Sequence, residues 1–231
     1  MAIKLYDLAG AEDDRRYSPN CWRIKMALAH KGLVYESLPW HFTDKAAIAF
    51  TGQGRVPVLV DGEHRVFDSW TIAEFLDETY PDRPSLFGAA AGRALARFLA
   101  NWSDATVHAG IARLIIADVF AHAHPDDRAY FRKSREERFG ATLEAVQADR
   151  EQRVVAFRQS LQPLRATLAA QAYVGGARPL FADYAVFGGF QWARSVSSFK
   201  LLAEDDPIHA WRGRMLDLFD GLAGRAKGYP A

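Results

Sequence analysis

The sequence predicts an α/β plus all-α chain, a small mixed-sheet domain over residues 1–84 followed by an all-helical bundle domain over residues 90–231. Three observations carry this. Up to Pro81 the apolar pattern reads strand, helix, strand, helix, strand, strand, helix. Pro81, Pro84 and Gly88 mark a linker, and beyond about Ala90 no strand pair remains. A parallel strand-helix-strand unit followed by an antiparallel hairpin implies a four-stranded mixed sheet with helices on its faces, the thioredoxin-like arrangement.

Ile3 to Leu8 reads as the first strand, and Ala9 to Tyr17 is a polar loop holding Glu12, Asp13, Asp14, Arg15 and Arg16. Ser18-Pro19 opens a helix, since serine is a strong N-cap and proline suits the first helical position; Gly32 ends it after Lys31. Tyr35 to Trp40 is the second strand, and Asp44 to Phe50 forms a short helix before Gly52 and Gly54. Val58 to Val60, the turn dipeptide Asp61-Gly62 and His64 to Asp68 make a hairpin. Ile72, Phe75, Leu76 and Tyr80 then recur at helical spacing; Asp68 or Ser69 caps this helix and Pro81 stops it.

In the second half Val154, Phe157, Leu161, Leu164 and Leu168 form one apolar stripe, on a helix that Pro163 should kink. Phe131 to Arg153 is dense in both charge signs, including Arg135, Glu136, Glu137 and Arg138, and is read as a solvated face without a functional role. Gly175-Gly176 breaks the chain. Ala182 to Ser195 is a further helix, and Pro207 starts another that runs to about Gly221.

The 231 residues are 49% hydrophobic and 13% aromatic, enough for one or two sizeable cores. A formal net charge of +1 gives no electrostatic argument for nucleic acid or an anionic membrane. The single cysteine, Cys21, excludes an intramolecular disulfide and a cysteine metal cluster, so a reducing cytoplasm is the expected setting. The opening Met-Ala-Ile-Lys-Leu moves into a strand pattern without a basic region followed by an apolar run, and no stretch is expected to span a bilayer. His122 and His124 with Asp126 and Asp127 are too weakly patterned for a metal site.

Two places suit a ligand. At Val56-Pro57 a proline starts a strand; in a cis bond the amide and carbonyl of Val56 would turn outward and pair with a peptide as an added strand. At Asp68-Ser69 a helix N-terminus attracts an anion while the Asp68 carboxylate can pair with an ammonium, together a site for a zwitterionic amino-acid end. Ser18-Pro19-Asn20-Cys21 occupies the position of a thioredoxin-like Cys-Pro-x-Cys pair, but serine replaces the attacking cysteine, which disfavours dithiol exchange. Cys21 reads as a packed small residue. A serine hydroxyl at a helix N-terminus can instead donate to a bound thiolate; Ser18 is preferred over Tyr6 and Tyr17 for this role, with help from the Asn20 amide.

With these features in place the whole chain resembles a glutathione S-transferase. The run Ser18-Pro19-Asn20-Cys21-Trp22-Arg23-Ile24-Lys25 is similar to the serine-type bacterial β-etherase and fungal serine classes, as are Phe67-Asp68-Ser69-Trp70-Thr71-Ile72 and Ala182-Asp183-Tyr184-Ala185. The resemblance implies glutathione as cosubstrate against the first domain, with Ser18 at the sulfur as the catalytic residue. Val56 beside cis-Pro57 would hold the cysteinyl backbone, and Asp68 with Ser69 the γ-glutamyl end. For the glycyl carboxylate His41, Lys45 and Arg55 compete, and His41 is favoured.

A small hydrophobic or aromatic electrophile would be conjugated or thiolytically cleaved between the domains. Trp102, Thr106, His108, Ile111 and Ile115 are the candidate wall, although the isoleucines also read as interhelical core. A homodimer is implied, with no nucleic acid or membrane partner; the rival function is a non-catalytic binder of glutathione conjugates or aromatic ligands. Two departures stand out. Leu180 replaces the usual Ser, Thr or Asn three residues before Asp183, so Asp183 either caps weakly or satisfies backbone amides alone. The long Glu12 to Arg16 loop is also expected to reshape the electrophile pocket.

Overall fold

The computed structural model describes residues 2–230. Strands β1 (Ile3–Leu8), β2 (Tyr35–Trp40), β3 (Val58–Asp61) and β4 (His64–Phe67) form one sheet in the order β2-β1-β3-β4. β1 is parallel to β2, with Ile3 opposite Tyr35, because helix α1 (Pro19–His30) returns the chain to the same end. β3 is antiparallel to both β1 and β4, with Leu5 opposite Leu59 and Val58 opposite Phe67. Leu5 and Leu59 on the central strands, Ile24 on α1 and Ile72 and Leu76 on α2 (Ser69–Thr79) lose all solvent contact.

The remaining elements are helical. α3 (Ala90–Trp102) runs through a π-helical turn at Ser103–His108 into α4 (Ala109–His122), and α5 (Arg128–Phe139), α6 (Leu143–Gln147), α7 (Arg150–Ser160), α8 (Gln162–Ala170), α9 (Phe181–Val196) and α10 (Pro207–Gly221) follow. α9 is the central post of this domain, with Phe181, Tyr184, Phe187 and Phe190 buried. It also packs on α1. That approach needs Gly188, since a Cβ there would stand 2.3 Å from the Pro19 carbonyl oxygen.

Several expectations change. Pro163 does not kink a helix; the chain breaks at Leu161 and Pro163 sits in the first turn of α8, where its missing N–H costs nothing. The stripe survives the break, with Val154, Phe157, Leu161, Leu164 and Leu168 all buried. The helix before Gly52 is a 3₁₀ turn over Ala46–Thr51.

Without a hydroxyl at Leu180, Asp183 satisfies the backbone by itself. It accepts the N–H groups of Val174 at 2.7 Å, Gly175 at 2.9 Å and Leu180 at 3.0 Å, and Trp211 Nε1 at 2.9 Å. Burial pushes its carboxyl up, opposed by these four donors.

The expectation that no stretch matches a bilayer also fails on length and composition. The continuous helix Ala90–His122 has 33 residues and a window of mean hydropathy 1.2. Its Val107, Ile111, Leu114 and Ile115 are buried inside the helical domain, while only 33% of the apolar window is buried and Leu95 and Phe98 are exposed.

Candidate functional site

Ser18 leaves the polar loop in an extended conformation and caps α1, its Oγ accepting the Cys21 N–H at 3.2 Å. An oxygen used as acceptor on one side keeps its proton free to donate on the other. Ser18, Pro19 and Asn20 line a cleft of about 550 Å³ between the sheet and the helical domain. Cys21 does not reach it. The thiol is fully buried with its sulfur 4.0 Å from the Tyr6 carbonyl oxygen, and burial pushes it well above the ordinary thiol range.

Val56 is on the same wall, preceding Pro57 through a cis peptide bond. The β3–β4 ladder ends at Val58 and Phe67, which puts Pro57 and Asp68 one residue beyond it at the same end of the hairpin. Asp68 has φ 71 and ψ 128, a left-handed φ that costs a non-glycine residue about 1–3 kcal/mol. What holds it there is its own carboxylate. Oδ1 accepts from Trp70 N at 3.0 Å and Thr71 N at 3.1 Å, so this oxygen caps α2 and Oδ2 is left for another partner. Ser69, at the first position of α2, is 6% exposed. Asp68 and Ser69 therefore adjoin Val56-Pro57 through the hairpin but stand outside the walls of the cleft.

His41 is placed elsewhere. Its Nε2 is 3.3 Å from the Gly10 carbonyl oxygen and 3.7 Å from Asp13 Oδ1, and its ring lies 4.3 Å from that of His124. Of the three cations considered for a carboxylate, Arg55 lines the cleft and His41 does not. Lys45 sits 5.1 Å above the Tyr130 ring.

The opposite wall corrects the sequence reading. Of Trp102, Thr106, His108, Ile111 and Ile115, His108 alone lines the cleft; Asp104, Ala109, Ala112, Arg113, Ile116 and Val119 take the remaining places from this helix. Ile111 and Ile115 are buried in the core, as the interhelical reading of the isoleucines expects, and the wider π turn resets the phase of the residues after it. His108 Nδ1 is 3.2 Å from Asp104 Oδ1, and burial first, then the nearby Arg23, holds its imidazole well below the usual range.

The charged segment is not wholly solvated either: Tyr130, Phe131, Arg135, Arg138 and Phe139 of α5 complete the cleft, with Trp192 of α9. Alternating charge hid an aromatic and arginine face that only the packing of α5 beside Phe42 reveals. The Glu12 to Arg16 loop does not reach the cleft. It is tied to the C-terminal segment by Lys227 Nζ, 2.6 Å from Glu12 Oε1 and 3.0 Å from Asp14 Oδ1, and by Arg15 donating to the Ser195 carbonyl oxygen at 2.6 Å. Tyr17, which follows the loop, does line the cleft; its hydroxyl is buried without a partner among the described residues.

Three comparisons place this architecture. Residues 14–84 match the glutathione S-transferase N-terminal domain and residues 94–219 the glutathione S-transferase C-terminal domain. Among curated proteins, the chain is 25% identical to glutathione S-transferase U28 of Arabidopsis thaliana, over 87% of this chain and 81% of that protein. It is 35% identical to a maleylacetoacetate isomerase of Pseudomonas aeruginosa, over 39% of this chain and 47% of that one.

Among solved structures, glutathione transferase GSTFuA3 of Phanerochaete chrysosporium superposes with a TM-score of 0.77 at 27% identity, covering 96% of this chain and 92% of that one. CsGST63524 of Ceriporiopsis subvermispora, solved in complex with glutathione, shares the fold with a TM-score of 0.81 at 23% identity, covering 95% and 97%. With both halves of the chain matched, and the serine-capped helix, cis-Pro57 and interdomain cleft in their places, the protein belongs to the glutathione S-transferase family.

Proposed function

We propose that this chain is a serine-type glutathione transferase, similar to the β-etherase-like class, which conjugates or thiolytically cleaves small hydrophobic or aromatic electrophiles. The observation that carries the reading is Ser18. It is an N-cap hydroxyl whose proton is free, at the start of a twelve-residue helix and on the wall of an interdomain cleft. The residues around it fit glutathione: the Val56 backbone is available outside the β3 ladder, and Asp68 keeps Oδ2 beside the buried Ser69 at an α2 N-terminus. Arg55 replaces His41 as the candidate for the glycyl carboxylate.

A free thiol has a pKa of about 8.5, so little of it is ionised at neutral pH. A hydrogen bond from Ser18, with the dipole of α1, stabilises the anion by one to two units, about 1.4 kcal/mol each, which makes thiolate the main species. Asn20, on the same wall, assists from its amide. Arg23 and Asp104 lock α1 to the helical domain, so this hydroxyl and the aromatic wall keep a fixed relation.

The working assembly is a homodimer in the cytoplasm, with no nucleic acid or membrane partner. Two patches support pairing: Leu95 and Phe98 on α3 are 70% and 71% exposed, and Phe50 and Phe67 on the sheet domain are 47% and 42% exposed. A two-fold axis can set each patch of one subunit against the other patch of its partner. The deciding experiment is a panel of chloronitrobenzene, isothiocyanate, hydroperoxide and aryl-ether substrates with glutathione. Turnover of an aryl halide or aryl ether supports the reading, whereas tight glutathione binding with no turnover of any member makes the chain a binder.

A further inference from the structure

The cleft is unequally charged. Arg55, Arg113, Arg135 and Arg138 line it, while Asp104 is its one carboxylate among the described residues and is already held by Arg23 at 2.5 Å. Elsewhere in the chain arginines are commonly paired, as Arg132 is with Glu136 and Glu144, and Arg165 with Asp206. Arg113, Arg135 and Arg138 have no carboxylate partner among the described residues.

They are instead arranged around rings. The Arg135 guanidinium lies 4.9 Å from the centre of Phe131 and 5.2 Å from that of Phe42; Arg113 and Arg138 flank Phe139 at 5.5 Å and 5.9 Å. An arginine beside a ring can still turn edge donors to an oxyanion; Arg135 spends one of its five, Nη1 donating to Ser134 Oγ at 2.9 Å, and Tyr130 also lies against it. The unpartnered hydroxyl of Tyr17 supplies a neutral donor on the same lining, and Tyr17 and Arg135 are close enough to perturb each other's ionisation. A low-dielectric cleft with charge of one sign concentrates the opposite sign within it.

We propose that the second substrate is an anionic aromatic electrophile, an aryl ring carrying a carboxylate, with Arg135 as the main anchor and Arg113 and Arg138 as flanking cations. This rests on the transferase reading and narrows its substrate class. Phe42, Phe131 and Phe139 receive the ring, the arginine edges receive the carboxylate, and the electrophilic carbon is left to face Ser18. Burial lowers the Arg135 pKa from its usual value, but an arginine remains charged at neutral pH, so the anchor is present throughout the working range.

The test compares 4-chloro-3-nitrobenzoate with 4-chloro-3-nitrobenzamide, each rate divided by its uncatalysed rate with glutathione. The wild type is expected to favour the benzoate at least about ten-fold in kcat/KM, the size of one good charge contact. Arg135→Gln should bring the benzoate-to-benzamide ratio of kcat/KM close to one, through a raised KM for the benzoate, with glutathione affinity kept. Added salt should shrink the preference. Equal treatment of the two substrates by the wild type overturns the proposal while the transferase reading stands.

A loss of glutathione affinity in Arg135→Gln with the benzoate preference intact also overturns it, by moving this arginine to the glycyl carboxylate. If neither compound turns over, the transferase reading is decided by the wider substrate panel. Calorimetry of 3-nitrobenzoate against 3-nitrobenzamide then decides the anion site by itself, with tighter binding of the acid supporting it and equal binding rejecting it.

Discussion

Arg23 of α1 and Asp104 of the π turn meet at 2.5 Å, and the same Asp104 oxygen lies 3.2 Å from His108 Nδ1. Arg23 is 3% exposed and Asp104 52%, so the pair joins a buried cation of the sheet domain to a half-exposed anion of the helical domain. Arg23 also donates to the Ala185 carbonyl oxygen at 3.2 Å. One side chain thus ties α1 to two helices that stand behind the cleft.

Asp104→Ala leaves Arg23 buried without its counter-charge. The expected cost is about 1–3 kcal/mol, held below that of a fully buried pair because water reaches Asp104. Urea unfolding reads the loss, and Asp104→Asn, which keeps an acceptor, should recover part of it. Equal midpoints for wild type and Asp104→Ala would show that the contact contributes nothing net.

Ser18→Ala should raise the pKa of bound glutathione thiol by about one to two units and depress conjugation at neutral pH, with recovery as the pH rises. The sign follows from the acid: losing a donor to the anion disfavours the anion, so a higher pH is needed to form it. Cys21→Ser should change activity little, because the thiol is buried off the cleft. The pH profile of kcat/KM checks both. Full activity of Ser18→Ala across the range would transfer the role to Asn20 or a backbone amide.

Ser69→Ala should weaken glutathione binding about ten-fold or more, since a hydrogen bond to a charged group contributes about 1.5–3 kcal/mol. Calorimetry measures it. An unchanged Kd would remove the γ-glutamyl assignment from the α2 N-terminus and leave Ser18 unaffected.

Asp183→Ala strips the acceptor from three backbone N–H groups and from Trp211, all in or near the core. A loss of at least about 3 kcal/mol is expected, since several buried donors are orphaned together. Chemical denaturation followed by tryptophan fluorescence reports it, because Trp211 is one of the affected groups. A loss under about 1 kcal/mol would mean that water replaces the carboxylate.

Sedimentation at micromolar concentration should give twice the 25.8 kDa chain mass. Leu95→Glu with Phe98→Glu should return the monomer, as two charges placed in an apolar contact have no partner there. A wild type that sediments as a single 25.8 kDa species removes the homodimer.

Much of the fold is determined by local pattern. Alternation gave Ile3–Leu8 and Tyr35–Trp40 their strands, Ser18-Pro19 and Asp206-Pro207 open helices by capping and fixed φ, and Asp61-Gly62 turns the hairpin, because each signal acts over a few residues. Part of the cleft lining was legible for the same reason: Ser18 and Asn20 lie at a helix cap and Val56 just before a strand start. Tertiary structure decided the rest. No sequence period announces a π turn, so the face of α4 that meets the cleft was misread, and His41 was drawn to Gly10 and His124 by a loop path that composition does not encode. The arginine and aromatic face of α5 looked like ordinary solvated charge. Whether an arginine points to water or across a ring into a cleft depends on which helix packs beside it, and that is settled by long-range burial, which local sequence does not contain.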